Sequence, residues 1–317
     1  MYRIGVDIGG MSIKIGLVDK DGNILATQRV ETSHDAYKSL ADTISTINKI
    51  LANNNLSYEN IKGIGVGCPG SVDRKLGKID ILPNLEWENV DIVDFIKKSI
   101  PTRVEISNDA NVAALGEALY GAAKNYDNSV MFTLGTGVGG GIVINKKLYE
   151  GGFSRGAELG HVTLIYDGEP CTCGRRGCIE RYVSATALIN QTKQAMLKDN
   201  NSLMWKETDG SIDNVDGKTA FSCAEKGDVT AKEVVNCYVS YLGESIMNML
   251  NIFRPDAFIL GGGISGQGEK LVKPVKEYLE KFSYGYKNAP KAEILIATLG
   301  NDAGIFGSAK LVLDEFV

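Results

Sequence analysis

Apolar and small residues alternate at the start of the chain. Residues 2–9 read YRIGVDIG, Gly10 follows, and residues 13–19 read IKIGLVD. β-Branched residues on either side of a glycine pair predict a hairpin within the first 25 residues, and KDGN at 20–23 supplies the next turn. The period then changes. Leu40, Ile44, Ile47 and Leu51 recur at three- and four-residue steps, which predicts a helix over 36–54. IKGIGVGC at 61–68 is an apolar strand closed by Pro69–Gly70, and RVEIS at 103–107 is another. NDA at 108–110 opens a helix that runs to residue 123.

Residues 129–145, SVMFTLGTGVGGGIVIN, repeat the opening pattern of strand, glycine turn, strand and polar turn. The repeat is one of pattern, not identity. It predicts two related α/β halves, each begun by a glycine-rich hairpin, which a duplication would set across a cleft. Residues 184–200 read as a helix, and residues 201–228 are polar enough to read as a loop. A long helix over 230–253 would bury Val234, Tyr238, Tyr241, Leu242, Ser245, Met249 and Ile252. RPDAFILGGGISG then reads as strand and glycine turn, with a helix over 268–282.

A chain of 317 residues, 44% hydrophobic and 23% charged, is ordinary for about two globular domains. The net charge of −5 disfavours a nucleic-acid partner, which needs a basic face. The chain begins directly in a strand, with no leader pattern, and no apolar run is long enough to span a bilayer. Six cysteines are too few for a disulfide scaffold. The expected setting is the cytoplasm, with no membrane partner.

Two stretches match G-x-G-x-x-G: Gly135, Gly137 and Gly140, and Gly261, Gly263 and Gly266. Neither fits a dinucleotide fold, since a strand follows the first and the second lies too near the end. DGKT at 216–219 is no phosphate loop either, because Ile212 stands where glycine is required. Glycine turns also serve ordinary hairpins. Three of them, at 9–10, 135–141 and 261–263, could together hold a nucleotide through exposed backbone amides. Asp7 beside the first could hold Mg²⁺ or simply cap its own turn.

Asn108 and Asp109 stand between a strand and a helix, where both types serve as helix caps. Strand ends of α/β sheets also bind ligands, and a carboxylate there could accept the proton of an attacking hydroxyl. His161, Cys171, Cys173 and Cys178 offer one imidazole and three thiolates, an accepted set for a closed structural Zn²⁺ site. A disulfide would leave one of the three cysteines over, and unligated core thiols are the remaining alternative. Cys68, Cys223 and Cys237 read as small buried apolar residues. A metal would pin Glu158, His161 and Glu180 into one wall suited to sugar hydroxyls; otherwise the two glutamates are surface charges.

Together these segments resemble the ROK family of sugar kinases and repressors. The matching pieces are VDIGGMSIKIGLVD, GVGCPGSVD, SNDANVAALGEALYG, LGTGVGGGIV, RGAELGHVTL, CTCGRRGCIE and LGGGIS, spread over residues 5–265. Within the family the likeness is to bacterial ATP-dependent glucokinases. The resemblance implies an α/β, actin-like (ribonuclease H-like) fold with an interdomain cleft. Its domains would be 1–118, completed by a C-terminal helix 301–317, and 119–300 with the zinc site. The implied activity is transfer of the γ-phosphate of MgATP to the 6-hydroxyl of glucose. Kinases of this fold for other sugars, such as mannose, fructose, N-acetylhexosamines or β-glucosides, are the first alternative, and a non-catalytic sugar-binding regulator is the second. A sugar-responsive repressor would carry a DNA-binding segment before the first glycine turn, where this chain already has Asp7. The resemblance makes Asp109 the base and gives the sugar Gly70, Asn108, Glu158, His161 and Glu180. It gives the nucleotide Gly9, Gly10, Ser12, Thr136, Gly137, Gly262 and Gly263, with Asp7 near Mg²⁺. The family usually has threonine where this chain has Met11, so the hydroxyl thought to meet the transferring phosphate is missing there. A homo-oligomer, dimer or tetramer, is also implied.

Overall fold

The computed structural model describes residues 1–285, 288 and 290–313. Its strands are β1 (Tyr2–Ile8), β2 (Ser12–Val18), β3 (Ile24–Glu31), β4 (Ile61–Cys68), β5 (Ser71–Asp73), β6 (Lys78–Leu82), β7 (Trp87–Asp91), β8 (Arg103–Asn108), β9 (Ser129–Leu134), β10 (Val138–Ile144), β11 (Lys147–Tyr149), β12 (Ala257–Gly261) and β13 (Glu293–Ile296). The chain divides into two compact units. One is Met1–Ser129, Gly141–Ala157 and Thr298–Val317; the other is Val130–Gly140 and Glu158–Ala297. Both are discontinuous: the first runs on to residue 129, beyond the expected limit of 118, and takes in 141–157 as well as the C-terminal segment. Residues 141–157 belong with the first unit because Gly141 lies directly against Ala114 of the helix Asp109–Leu119.

In the first unit the sheet order is β3-β2-β1-β4-β8. β1, β2 and β3 form an antiparallel meander, and β4 and β8 continue it in parallel. The helix Ala36–Asn53 buries the four predicted positions Leu40, Ile44, Ile47 and Leu51 against this sheet, capped by Asp35, which accepts from the amides of Tyr37 and Lys38. The helix Ala303–Leu311 packs on β1, β4 and the helix Asp109–Leu119. It comes so close that a Cβ on Gly65 would stand 1.7 Å from the carbonyl oxygen of Ser308. Gly65 therefore answers to backbone-on-backbone packing, whereas Gly67 makes room for the side chains of Val112 and Ser308. Of the expected helix 301–317, residues 314–317 lie outside the described residues.

Two features of this unit escape the sequence pattern. β3 was not anticipated beyond the first hairpin, because it is an edge strand whose positions alternate only between half-buried and exposed. The small sheet β5-β6-β7 is built from strands of three to five residues, too short for a period-2 signal. Trp87, 1% exposed, anchors it and donates its indole N–H to the carbonyl of Ser33 at 3.0 Å.

The second five-stranded sheet has the order β11-β10-β9-β12-β13, which repeats the connectivity of the first: a meander, then two later strands. That order matches the predicted duplication. The helices Ala185–Lys198, Val229–Phe253 and Glu269–Phe282 lie close to their predicted limits. The supposed loop over 201–228 instead contains the helices Leu203–Glu207 and Thr219–Glu225. Met204, Phe221 and Cys223 bury there, and three apolar anchors among polar residues give no periodic signal. Ile252 is 66% exposed and Cys237 is also exposed, so neither belongs to the core assigned to it. Cys237 sits just before the buried Tyr238 and faces outward. Among the described residues no helix is long and apolar enough to cross a membrane.

Candidate functional site

In the first unit the strand β8 delivers Asn108 and Asp109 to the start of a helix. Asn108 is the N-cap: its Oδ1 accepts from the amides of Ala110 and Asn111 at 2.9 and 3.4 Å. Its Nδ2 donates to the carbonyl of Gly70 at 3.3 Å, so two of the predicted sugar residues meet. Gly70 has φ +83° and a Cβ there would lie 2.4 Å from the carbonyl oxygen of Ile81. Capping by Asn108 leaves Asp109 at the first helical position, with Oδ1 2.9 Å from the amide of Ala110. The neighbouring thiol of Cys68 is pushed well up by burial and, secondarily, by the charge of Asp109.

The far end of this helix is fixed by Glu117, fully buried. Its carboxylate accepts from the amide of Ala122 at 2.8 Å, the amide of Leu299 at 2.7 Å and the hydroxyl of Thr298 at 3.3 Å. Behind β8, Ser107 donates to Glu150, which pairs with Arg74 at 2.6 Å. Sequence reading missed both anchors, since a lone acid or arginine carries no spacing signal.

The first glycine turn joins β1 to β2. Asp7 and Lys14 are register partners across that hairpin, and Lys14 Nζ lies 3.6 Å from Asp7 Oδ2. Burial raises the Asp7 carboxyl above its usual range, and Lys14 opposes that shift. Lys14 was also missed, although the alternation of β2 could have placed it opposite Asp7. Gly9 donates its amide to the carbonyl of Ser12 at 3.1 Å, a Cβ on Gly10 would meet open space, and Met11 is 89% exposed.

In the second unit two glycine turns meet. Gly262 has φ +81°, and a Cβ there would stand 2.6 Å from the backbone of Leu134. It is thereby pressed against the residue that leads into Gly135, Thr136 and Gly137. Thr136 is exposed, and its carbonyl accepts from the hydroxyl of Thr186 at 2.8 Å. Gly263 opens to unoccupied space. The DGKT stretch is a local turn, in which Asp216 Oδ1 accepts from the amides of Lys218 and Thr219.

The second unit also gathers the candidate metal ligands. A ring nitrogen of His161 and the sulfurs of Cys171, Cys173 and Cys178 all lie within 4.8 Å of one another. The Cys173–Cys178 sulfurs are 3.7 Å apart and Cys171 Sγ lies 3.6 Å from His161 Nδ1. A tetrahedral zinc with ordinary bond lengths requires S···S of about 3.8 Å and S···N of about 3.6 Å. The donor set and these two separations therefore fit Zn²⁺, and 3.7 Å excludes a disulfide bond between Cys173 and Cys178. Gly177, at φ +76°, closes the loop where a Cβ would be 1.6 Å from the carbonyl oxygen of Ile165. Arg175 donates to the His161 carbonyl at 3.2 Å.

The two glutamates flank this cluster. Glu180 Oε1 is 3.9 Å from Cys171 Sγ, while its Oε2 accepts from the amide of Val138 at 3.0 Å. It thus ties the metal loop to the Gly135–Gly137 turn. Glu158 precedes a short 3-10 turn, and its carbonyl accepts from the His161 amide at 3.1 Å. Its carboxyl is raised by the protein packed around it, with His161 pulling the other way. A metal on Nδ1 leaves Nε2 of His161 available to a ligand.

A family model described as the ROK family matches residues 3–315. The chain belongs to the ROK family. A glucokinase of Thermotoga maritima is 36% identical over 98% of this chain and 97% of its own length. A xylose repressor of Bacillus spizizenii is 30% identical over 100% of this chain and 78% of its own length. The crystal structure of a ROK glucokinase from Streptomyces griseus, bound to glucose and AMPPNP, superposes with a TM-score of 0.80 at 34% identity, covering 98% of this chain and 99% of that one. The fold is accordingly the two-domain, actin-like α/β fold of ROK kinases.

Proposed function

We propose that this chain is an ATP-dependent glucokinase with Asp109 as its base. The observation that carries the reading is Asp109 itself, set at the end of a parallel strand with Asn108 capping the helix and reaching Gly70. Full-length similarity to glucokinases supports the substrate assignment. Asn108, Gly70, Glu158, His161 and Glu180 bind the sugar, and the carboxylates orient its hydroxyls. Asp109 takes the proton of the 6-hydroxyl as that oxygen attacks the γ-phosphorus. ADP leaves with the electrons of the broken P–O bond. Gly9, Gly10, Ser12, Thr136 and Gly137 cradle the phosphates, while Gly262 and Gly263 flank the adenosine. Asp7, a hard carboxylate, is the residue that would hold Mg²⁺, which offsets phosphate charge when bound. His161, Cys171, Cys173 and Cys178 would hold a structural Zn²⁺, which would fix the sugar wall without entering the transfer. The expected assembly is a homodimer or homotetramer.

A coupled ADP-release assay over glucose, mannose, fructose and N-acetylhexosamines tests the reading. Glucose is expected to give the highest kcat/KM. Asp109→Asn is expected to lose turnover by about 10²–10⁴-fold while still binding sugar. An Asp109→Asn chain that keeps its turnover would remove the assigned base, and preference for another hexose would move the substrate.

A further inference from the structure

We infer that Lys14 contacts the nucleotide phosphates, supplying a cation beside a glycine turn whose Met11 offers no hydroxyl. The inference rests on the nucleotide-binding reading given above. Asp7 and Lys14 face each other across the β1–β2 hairpin, and their side chains are only 20% and 19% exposed. Lys14 Nζ donates to the carbonyl of Asn301 at 3.0 Å, just ahead of the helix Ala303–Leu311. The same helix begins against Asp7, because a Cβ on Gly304 would lie 2.5 Å from the Asp7 carboxyl carbon. At 3.6 Å the Lys14–Asp7 contact is an ion pair longer than a hydrogen bond. An ammonium has three donors, so its charge and donor capacity exceed what the Asn301 carbonyl takes up.

Charge balance gives the pair its use. Asp7 alone would repel a polyphosphate from the turn that is to cradle it. Lys14 cancels that charge at contact distance, and in a half-buried setting the cancellation is far less screened than on the surface. A carboxylate facing a divalent cation and an ammonium facing phosphate oxygens are complementary halves of one metal–nucleotide site. Met11 points to solvent, 89% exposed, and its thioether has no donor for phosphate.

A purely structural Lys14 would neutralise Asp7 and hold Asn301, and its loss would lower stability without touching phosphate recognition. Isothermal titration of MgADP and of adenosine separates the two roles. Lys14→Met is expected to weaken MgADP about 10- to 100-fold and to leave adenosine within about twofold. Lys14→Arg, which keeps the charge, should stay within about fivefold for MgADP. Should Lys14→Met fail to fold, Lys14→Gln is read by the same ratio. MgADP affinity unchanged in the neutral variant, or adenosine weakened in step with it, would overturn the inference. Glucose phosphorylation by the unsubstituted protein is measured alongside. The expected MgADP split without sugar turnover would uphold Lys14 and sink the kinase; binding of neither ligand would sink both.

Discussion

Replacing Glu117 by alanine should weaken the first unit by about 3 kcal/mol. The side chain is 0% exposed, and its two oxygens serve the amides of Ala122 and Leu299 and the hydroxyl of Thr298. Removing a buried acceptor strands its donors, at about 1–3 kcal/mol for each that water does not reach. Thr298 is exposed and can turn to solvent, so the two half-buried amides dominate. The midpoint of thermal unfolding should fall by about 6–12 °C for a unit of this size. Glu117→Gln is the milder change: one oxygen still accepts, but the new NH₂ faces a donor. The protein has two tryptophans, Trp87 in the first unit and Trp205 in the second. In a Trp205→Phe background, fluorescence during denaturant unfolding follows the first unit alone. A loss under about 1 kcal/mol for Glu117→Ala would refute the claim that this carboxylate is the anchor of the Asp109 helix.

Three further outcomes are expected. Cys173 is exposed, so Cys173→Ser disturbs little packing; elemental analysis should fall from about one zinc per chain to well below that, with weaker sugar binding. Zinc absent from carefully purified unsubstituted protein would refute the metal assignment. Gly262→Ala combines a left-handed backbone with a Cβ 2.6 Å from Leu134, so the two turns must part. Nucleotide affinity should drop with sugar affinity retained, and titration calorimetry reads both. Burial raises the Asp7 carboxyl, which means the folded chain holds that proton more tightly than the unfolded chain. Ionised Asp7 therefore opposes folding, and its contribution falls as pH rises through the usual carboxylate range toward its folded value. Asp7→Asn should raise the melting temperature at neutral pH, with the gain fading as acid protonates the native carboxyl. A gain that persists unchanged into acid would contradict the sign.

The sequence by itself determined which segments alternate and which turn, and hence the duplicated sheet, the long helices and the histidine–cysteine cluster. Those signals are local: β-branched alternation, a 3.6-residue period, and a histidine and three cysteines within 18 positions. It also marked Asn108 and Asp109, because a strand end followed by a capping residue is a short-range pattern. The tertiary structure alone decided which of the two caps the helix, with Asn108 at the N-cap and Asp109 at the first helical position. It also decided that Gly262 leans on Leu134, that Glu180 joins the metal loop to the Gly137 turn, and that Lys14 pairs with Asp7. Each is a contact between residues far apart in sequence or on different strands, set by register and close packing. Edge strand β3, the three short strands around Trp87 and the helices of 201–228 stayed hidden for the same reason. Their few apolar anchors gain meaning only from the surfaces they are buried against.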